Sequence, residues 1–420
     1  MRLERRNPDE VRRLVRTAVD VKTLAAAAKI VDAVRREGEE AVRRTAEKHD
    51  GLTSGERLVF DRPSLQRALG AVSKGDHELL VRVSERIASF ARAQLESLTE
   101  MTVAVEGGRA GQWIAAVDRA GCYAPGGRFP LPSTVLMTAV TARTAGVESV
   151  VVASPRPGPL MLAAAAVADA DAVLAVGGAQ AVAALAYGFE GFEGCDVVVG
   201  PGNRWVTAAK QLVSGTVGID MLAGPSELVV LADDGADPTI VAADLLAQAE
   251  HDPDALPVLV TPSPTLAARV DQEIERQLDD LSTRDVAARA LENGFSCVTP
   301  DLATAIDICD RLAPEHLQVM VEGGTEVSRR LRHWGGLFIG AASAEVLGDY
   351  GAGPNHTLPT GGVARFKGGL SVFDFLRVRT WLEIDDAGAA NQTVEDAVAV
   401  ARLEGLEAHA RAAERRLQRR

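Results

Sequence analysis

The sequence is poor in aromatic residues and in cysteine, and it has no long apolar run. Aromatic residues make up 4% of the 420 residues. The four cysteines, Cys122, Cys195, Cys297 and Cys309, form no CxxC pair, so neither a disulfide framework nor a thiolate zinc site is indicated. The most apolar stretch, residues 160–174, carries two aspartates and is shorter than the ~18 residues that span a bilayer. We therefore expect a buried helix followed by a strand there, and no association with a membrane.

Positive charge is also scarce. Lys and Arg number 45 against 58 Asp and Glu, and the net charge is −13. Because binding to nucleic acid requires a basic surface, this balance argues against a nucleic-acid partner. The N-terminus lacks the apolar stretch of a signal peptide, so we expect a cytoplasmic protein. The composition, 47% apolar and 25% charged, is that of a globular protein, and the length suffices for two or three domains.

Periodic patterns divide the chain into helical ends and a central α/β region. Residues 21–50 and 61–97 carry apolar side chains at helical spacing, and a polar helix is predicted from about Thr393. Between 147 and 213, short β-rich runs alternate strictly with helices, which is typical of βαβ units and a parallel sheet. A second α/β stretch follows from 228 to 340. Its strands are predicted near 228–231, 258–261, 296–298 and 337–339.

Two histidine motifs lie on predicted helices. Gln248 and His251 are three residues apart on a helix that begins near Pro238, so both can face one metal ion, although an exposed helix end is the simpler interpretation. Glu404 and His409 are five residues apart near the C-terminus, which is about 140° around a helix. They do not closely share a face, and alone they indicate only a solvated helix.

Two further motifs lie outside the predicted helices. Histidine suits repeated proton transfer and a neighbouring carboxylate can activate water, so Glu315 and His316 are catalytic candidates, although an exposed polar pair after a helix has the same pattern. Residues 348–360 hold three glycines and two prolines together with Asp349 and His356. Ordering such a loop is costly, and ordered loops often serve a site. Asp349 can ligate a metal and His356 can bind substrate; a structural turn is the alternative.

Three glycine-rich turns lie between predicted strands and helices. They are residues 123–127, 177–180 and 200–204. Open α/β sheets bind nucleotides at such turns. None of the three is a complete GxGxxG followed by an acid on the next strand, so tight structural turns explain the glycines almost as well as a dinucleotide site does.

Taken together, these segments resemble the histidinol dehydrogenase family over nearly the whole chain. The resemblance is densest from 121 to 359, and it includes residues 224–227 and 247–251. Five separate motifs occur in the order and spacing of the family. The resemblance implies an α/β fold with two parallel-sheet, incomplete Rossmann-like domains and with helical N- and C-terminal extensions.

The fold is expected to divide into four segments. They are an N-terminal helical extension (1–18), a first α/β domain with the zinc and catalytic residues (19–122 plus 228–372), a second α/β domain on the NAD side (123–227), and a C-terminal helical tail (373–420). The resemblance also implies a homodimer in which each tail reaches the active site of the partner. Such an exchange accounts for Glu404 and His409, which need only lie over a site built elsewhere.

The resemblance implies a zinc-dependent, NAD-linked oxidation of L-histidinol through the aldehyde to L-histidine, with one zinc ion per subunit. The zinc ligands are then Gln248, His251, Asp349 and His409, a set of nitrogen and oxygen donors that is compatible with zinc. The implied contacts to the substrate are these four residues together with Ser226, Glu315, His316, His356 and Glu404.

The resemblance also implies the catalytic and cofactor roles. His316 is the base that accepts protons in both oxidations, and Glu315 helps water to add to the aldehyde. Tyr123, Gln180 and Asn203 contact NAD, one on each of the three glycine-rich turns. The incomplete Rossmann pattern is expected of this family and does not argue against NAD.

Three alternatives stay open at this point. Aldehyde oxidation can use a thiolate, and Cys122 adjoins a glycine-rich turn, although a buried small residue is the simpler interpretation. A relative with the same zinc site can oxidise another small alcohol, such as a polyol or a sulfonate. A non-catalytic scaffold is expected to lose a ligand or the base, and none is lost here.

Overall fold

The computed structural model describes residues 2–14, 19–53, 55–126, 130–189 and 191–417. Parts of three predicted segments lie outside these ranges: residues 15–18, Gly127 of the first glycine-rich turn, and residues 418–420. The chain forms two compact units, Met1–Ala93 with Val117–Phe375, and Gln94–Ala116 with Leu376–Arg420. No helix among the described residues has the length and apolar character that crossing a membrane requires.

The elements of the first half of the chain are β1 (Glu4–Arg6), α1 (Pro8–Arg12), α2 (Val21–Glu37), α3 (Glu39–His49), β2 (Val59–Asp61), α4 (Arg62–Ala71), α5 (Lys74–Glu96), β3 (Met101–Val105), β4 (Gly108–Ala116), β5 (Arg119–Tyr123), α6 (Pro132–Thr144), β6 (Ser149–Ala153), α7 (Pro159–Val167), β7 (Ala172–Leu174), α8 (Gly178–Tyr187), β8 (Val197–Val199), α9 (Arg204–Val213) and β9 (Gly218–Ile219).

The elements of the second half are β10 (Glu227–Ala232), α10 (Pro238–His251), β11 (Leu256–Thr261), α11 (Pro264–Leu278), α12 (Arg284–Asn293), β12 (Phe295–Val298), α13 (Leu302–Leu312), β13 (His316–Met320), α14 (Gly324–Ser328), β14 (Gly336–Ile339), α15 (Glu345–Asp349), β15 (Leu376–Ile384), α16 (Asn391–Leu403) and α17 (Glu407–Glu414). Two short 3-10 helices, Val363–Arg365 and Val372–Phe375, precede β15.

The first six-stranded sheet has the order β2-β7-β6-β5-β8-β9. All its neighbours are parallel except β2, which runs antiparallel to β7. The central strands are short apolar runs that are buried along almost their whole length, as parallel strands covered by helices on both faces must be. The alternation of strands and helices predicted for 147–213 is confirmed, including the helix and strand expected within 160–174.

The second six-stranded sheet has the order β1-β12-β11-β10-β13-β14 and is parallel throughout. All six residues of β10 and all five of β13 are buried. The four strands predicted in 228–340 are confirmed within two residues of their ends. The α/β fold class with two parallel sheets is therefore confirmed as well.

Several strands lie where the predicted segments did not place them. The N-terminal extension, expected to be helical, begins with β1, a three-residue edge strand paired in parallel with β12. Residues 59–61 and 119–122, grouped by the prediction with 228–372, pair instead in the first sheet. Strands of three to five residues are too short to show a clear alternation of apolar and polar residues, and their pairing depends on contacts distant in sequence.

The second unit contains a three-stranded antiparallel sheet in the order β15-β4-β3, together with α16 and α17. The predicted C-terminal helical tail therefore begins with a strand. β15 pairs with β4 over nine residues, from Leu376 opposite Ala116 to Ile384 opposite Gly108. Its valine, threonine and tryptophan favour a pleated strand. The polar helix predicted from about Thr393 is confirmed as α16, which begins at Asn391.

The strand order reverses once in each parallel sheet of the first unit. In the first sheet the reversal lies between β5 and β8, and in the second it lies between β10 and β13. Open α/β sheets bind ligands at such switch points, beyond the carboxyl ends of the strands. Tyr123 and Val199 mark the carboxyl ends of β5 and β8, whereas Glu227 and His316 mark the amino ends of β10 and β13.

Candidate active site

The turn between α13 and β13 carries Glu315 and His316 into the interior. The helix ends at Leu312, and Ala313 follows with a left-handed φ of 43°. This backbone conformation is costly for a residue with a Cβ, and such strain is concentrated at functional sites. The side chains of Glu315 and His316 are only 9% and 6% exposed. The structure therefore excludes an exposed polar pair at this position.

Hydrogen bonding fixes the orientation of the His316 ring. Its Nδ1 lies 3.0 Å from the carbonyl oxygen of Glu227, and because a carbonyl only accepts, Nδ1 donates the hydrogen. Its Nε2 has no hydrogen-bond partner among the described residues and lies 3.8 Å from Asp349 Oδ1. Nε2 is therefore the ring atom that is available to a bound molecule.

Glu315 and His316 form a coupled acid–base pair. Glu315 Oε2 accepts a hydrogen bond from the N–H of Glu227 at 2.8 Å and lies 3.7 Å from His316 Nδ1. Burial raises the pKa of Glu315 above its ordinary value. Burial lowers the pKa of His316, but the surrounding carboxylates, Glu315 foremost, outweigh this effect and raise that pKa overall. Both groups therefore hold protons more strongly than free side chains do.

Three metal-ligand side chains converge next to His316. His251 comes from the end of α10, and Glu345 and Asp349 come from α15; their ligand atoms lie within 4.8 Å of one another. His251 Nε2 is 3.5 Å from Asp349 Oδ2. Pro253 follows two residues after His251 and cannot continue the helix, so His251 stands at the helix end.

The same region contains buried polar atoms without partners. Gln248, one turn before His251 on α10, is fully buried, and neither atom of its amide has a hydrogen-bond partner among the described residues. Both carboxylate oxygens of Glu345, which is also fully buried, lack a partner in the described structure. Burying unpaired amide and carboxylate groups is costly, and binding to a cation compensates for it. These residues therefore fit a metal ion with imidazole and oxygen ligands.

Electrostatics in the cluster favour a cation beside Asp349. Burial raises the pKa of Asp349, but contacts with His251 and His316 outweigh burial and hold that pKa well below its ordinary range. The contact with Asp349 in turn raises the pKa of His251. The carboxylate is thus charged and attracts positive charge, which a divalent ion supplies.

The loop after α15 holds His356 between the Asp349 carbonyl and α6. His356 Nδ1 lies 2.9 Å from the Asp349 carbonyl oxygen, and its Nε2 lies 3.1 Å from Thr134 Oγ1 on α6. Burial lowers the pKa of His356, which keeps its imidazole neutral. Ser226, another predicted substrate contact, is half-buried directly before Glu227 and β10. Both residues therefore lie in segments that adjoin the metal-ligand cluster or His316.

Glu404 and His409 belong to the second unit. Glu404 follows the last residue of α16, and His409 lies in α17. Both residues are exposed. Among the described residues of one chain, the cluster of possible ligand atoms therefore contains His251 and Asp349 but not His409.

The predicted cofactor residues Tyr123 and Gln180 are connected through the second glycine-rich turn. The hydroxyl oxygen of Tyr123 accepts a hydrogen bond from the N–H of Gly178 at 3.2 Å. Gln180 Nε2 donates to Asp50 Oδ2 at 3.0 Å, and the same oxygen accepts the N–H of Gly177 at 2.9 Å. Both side chains are buried. The hydrogen bond between Tyr123 and Gly178 thus connects the first two glycine-rich turns beyond the ends of β5 and β7.

Asn203, the third predicted cofactor residue, is exposed on its own turn. Its side-chain oxygen accepts hydrogen bonds from the N–H groups of Trp205 and Val206, which caps α9. Gly200 begins this turn with a φ of 114°, and a Cβ there would lie 2.0 Å from the Tyr123 carbonyl oxygen. Only glycine permits this close approach at the switch point between β5 and β8. The close packing of this turn against the end of β5 therefore requires glycine at position 200.

The sequence patterns do not predict Glu345 or the role of Glu227. Glu345 lies four residues before Asp349, and this spacing of two acids on one helical face is the signal that could reveal it. Glu227 orients His316 through its carbonyl group, and its Oε1 accepts the N–H of Gly361 at 3.0 Å. The pairing of β10 with β13 creates this contact, and local sequence does not encode it.

Cys122 is not a candidate nucleophile. It lies in β5 with no exposed surface, and burial raises the pKa of its thiol to about 12. A catalytic cysteine requires an accessible thiolate, which a cationic neighbour or a helix N-terminus usually stabilises. The structure thus supports the interpretation of Cys122 as a buried small residue and removes the thiolate alternative.

The chain matches known proteins along almost its whole length. Residues 14–417 match the family model described as histidinol dehydrogenase. Histidinol dehydrogenase from Thermus thermophilus is 46% identical over 383 residues, which cover 91% of this chain and 92% of that protein. The relative from Nitrosomonas europaea is 42% identical over 408 residues, covering 96% and 94%. The crystal structure of histidinol dehydrogenase from Elizabethkingia anophelis matches with a TM-score of 0.90 at 30% identity, over 99% and 98% of the two chains.

Proposed function

Because the chain belongs to the histidinol dehydrogenase family, we propose that it oxidises L-histidinol through the aldehyde to L-histidine, with two NAD as hydride acceptors and one zinc ion per subunit. The observation that carries the proposal is the position of His316 Nε2. This atom lies 3.8 Å from the Asp349 carboxylate and has no hydrogen-bond partner among the described residues. A proton acceptor thus borders the cation site, so one substrate can contact both.

We assign the metal ion to Gln248, His251 and Asp349 of one subunit and to His409 of the partner subunit. Bound zinc supplies the positive charge that orients the nitrogen atoms of the substrate. Gln248 has an unpartnered buried amide, and Asp349 has a charged carboxylate beside His251, as ligands to a cation require. Glu345 lies in the same cluster, and its carboxylate is the alternative oxygen donor.

His316 takes a proton in each of the two oxidations. The Glu227 carbonyl accepts the hydrogen of Nδ1, so Nε2 is the ring atom that gains and loses the exchangeable proton. A cation bound beside Asp349 would offset the carboxylates that raise the pKa of His316 and would leave Nε2 with a lone pair to accept a proton. In the first oxidation Nε2 would accept the proton of the hydroxyl group as the carbon that bears this hydroxyl loses a hydride, and the aldehyde would form. His316 would then release this proton to solvent. In the second oxidation it would accept a hydroxyl proton of the aldehyde hydrate as the same carbon loses its remaining hydrogen as hydride, and the carboxyl group would form. NAD would supply the hydride acceptor in each oxidation.

Glu315 assists the addition of water between the two oxidations. It is buried beside His316, and burial raises the pKa of its carboxyl group. A carboxyl group whose pKa approaches the working pH can accept a proton from water and return it. Its hydrogen bond with the Glu227 N–H fixes the Oε2 atom, which leaves Oε1 for the attacking water.

We assign the dinucleotide to the turns at the carboxyl ends of the first sheet. Tyr123 ends β5, Gln180 lies in the first turn of α8, and Asn203 caps α9. The close approach of Gly200 to Tyr123 joins two of these turns at the switch point. This arrangement supports NAD binding, although none of the three turns carries a full GxGxxG sequence.

We further propose a homodimer in which Glu404 and His409 complete the partner's site. Both residues are exposed in the second unit. The same unit exposes several large apolar side chains, among them Leu403 at 87%, Leu382 at 67% and Trp113 at 52%. Exposed apolar surface of this extent supports contact with another protein chain. Glu404 would then face the ammonium group of the substrate.

Mixing two inactive variants tests the shared site. We expect His316→Ala and His409→Ala homodimers to be nearly inactive, but refolding them together should restore about a quarter of the normal activity. The reason is that each hybrid dimer contains one site with both histidines, whereas sites built within one chain would lack a histidine in every case. Activity and hybrid content are measured on the same samples. Hybrids that form and stay inactive would contradict the exchange.

The overall reaction is tested by counting NADH. With zinc-loaded protein and excess NAD, we expect about two NADH for each L-histidinol consumed, with histidine as the product. Removal of zinc by a chelator should abolish both steps, and added zinc should restore them. A folded, zinc-loaded protein that does not reduce NAD with histidinol would refute the proposed substrate and direct the search to other small alcohols.

A further inference from the structure

A buried ion pair lies behind the third glycine-rich turn. Lys210 on α9 and Asp220, just after β9, are in direct contact, and their side chains are only 2% and 0% exposed. Neither belongs to the metal cluster or to the predicted cofactor residues. Burying a lysine and an aspartate removes both charges from water, and apolar residues of similar size can replace such pairs without loss of stability. The pair therefore calls for an explanation other than stability.

The pair binds both backbone polar groups of Gly200. Lys210 Nζ donates to the Gly200 carbonyl oxygen at 3.0 Å. Asp220 Oδ2 accepts the N–H of Gly200 at 2.8 Å, and Asp220 Oδ1 accepts the N–H of Met221 at 2.7 Å. An apolar pair could fill the space but could make none of these bonds. The charges thus serve to hold one peptide segment in place.

Gly200 is the residue where this restraint has most effect. Its φ of 114° and its approach to the Tyr123 carbonyl place the turn directly against the end of β5. Three residues later Asn203 caps α9, on which Lys210 lies. The segment that carries Asp220 continues to Glu227, the first residue of β10, whose carbonyl group orients His316. Lys210 thus holds the turn through α9, and Asp220 holds it through the segment that leads to β10.

We propose that the Lys210–Asp220 pair is a positioning device for the dinucleotide, because it fixes the Gly200–Asn203 turn in the conformation that binds the cofactor. This inference rests on the proposed use of NAD. A turn that is already ordered loses less conformational entropy on binding, so the affinity for the dinucleotide rises without additional contacts. The pair touches neither the metal-ligand residues nor His316, so we expect its main effect on cofactor binding.

The test compares NAD binding by the zinc-loaded dimer with and without the pair. Lys210→Met alone leaves a buried carboxylate without its cation, which is strongly destabilising, so the decisive variant combines Lys210→Met with Asp220→Asn. We expect the Kd for NAD, measured by calorimetry, to rise about tenfold, with a matching rise in the KM for NAD. The kcat at saturating NAD, the KM for histidinol and the zinc content should stay within about twofold.

A less buried ion pair at the opposite ends of strands in the same sheet provides the control. Arg143 and Asp171 pair at the amino ends of β6 and β7, where Asp171 accepts the N–H of Val150 at 2.8 Å. Arg143→Met with Asp171→Asn should lower the Tm but leave the Kd for NAD unchanged. If the double variant of Lys210 and Asp220 folds and binds NAD like the unaltered protein, the positioning role is refuted. If the unaltered protein binds no NAD, the proposed cofactor fails as well.

Discussion

Replacing His316 with alanine is expected to lower kcat for histidinol oxidation by about 10³-fold, within the range that a general base contributes. The variant loses the imidazole that the Glu227 carbonyl orients and whose Nε2 lies 3.8 Å from the Asp349 carboxylate. The metal-ligand residues stay in place, so zinc content and the KM for histidinol should change little. Steady-state formation of NADH by the zinc-loaded variant measures kcat and KM separately.

His77→Ala is the control for this substitution, because it removes an exposed histidine on α5 in the same unit. It should keep the normal kcat. A His316→Ala enzyme that retained normal turnover would exclude His316 as the base. A variant that lost histidinol binding with little change in kcat would instead assign His316 to substrate binding.

Replacing Asp349 with asparagine is expected to have the second-largest effect, which is on metal binding. Asn keeps an oxygen donor but removes the charge that His251 and His316 stabilise. We expect zinc affinity to fall by more than the ~100-fold that follows the loss of a group supporting a ligand. Activity should fall in parallel and recover partly at high zinc concentration. Zinc titration and metal analysis after dialysis measure both quantities.

Two matched variants separate this effect from the mere loss of a buried carboxylate. Asp310 is also buried and accepts the N–H groups of Arg332 and His333, so Asp310→Asn should affect stability but not zinc binding. Glu345→Gln tests the alternative ligand inside the cluster. If Glu345→Gln loses zinc while Asp349→Asn retains it, Glu345 and not Asp349 supplies the oxygen donor.

In the two sheets of the first unit, the residues with proposed functions lie at opposite ends of the strands. Glu227 and His316 stand at the amino ends of β10 and β13, whereas Tyr123 and Gly200 stand at the carboxyl ends of β5 and β8. Only the first sheet thus follows the usual rule for open α/β sheets. At the amino ends of the second sheet the strand pairing places a carbonyl and a histidine side by side, which suits orientation of a base more than binding of a phosphate.

The sequence by itself determined the regular features of this protein. Apolar runs of strand length between amphipathic helices specify parallel strands covered on both faces, because each run must bury both sides. The same local logic fixes the ends of α9 and α10, where Asn203 and Asp237 cap the first turns. The four cysteines, which form no CxxC pair in the sequence, are buried and free.

Only the tertiary structure decided which side chains meet. The contact between His316 and Glu227 and the ion pair of Lys210 with Asp220 both require strands or loops to be packed in register. Glu345 becomes part of the metal cluster because α15 packs its buried face toward the end of α10. Local periodicity shows which face of a helix or strand is apolar, but it does not show which other element packs against that face. The packing partner depends on residues distant in sequence, and the side chains that meet in the site depend on this packing.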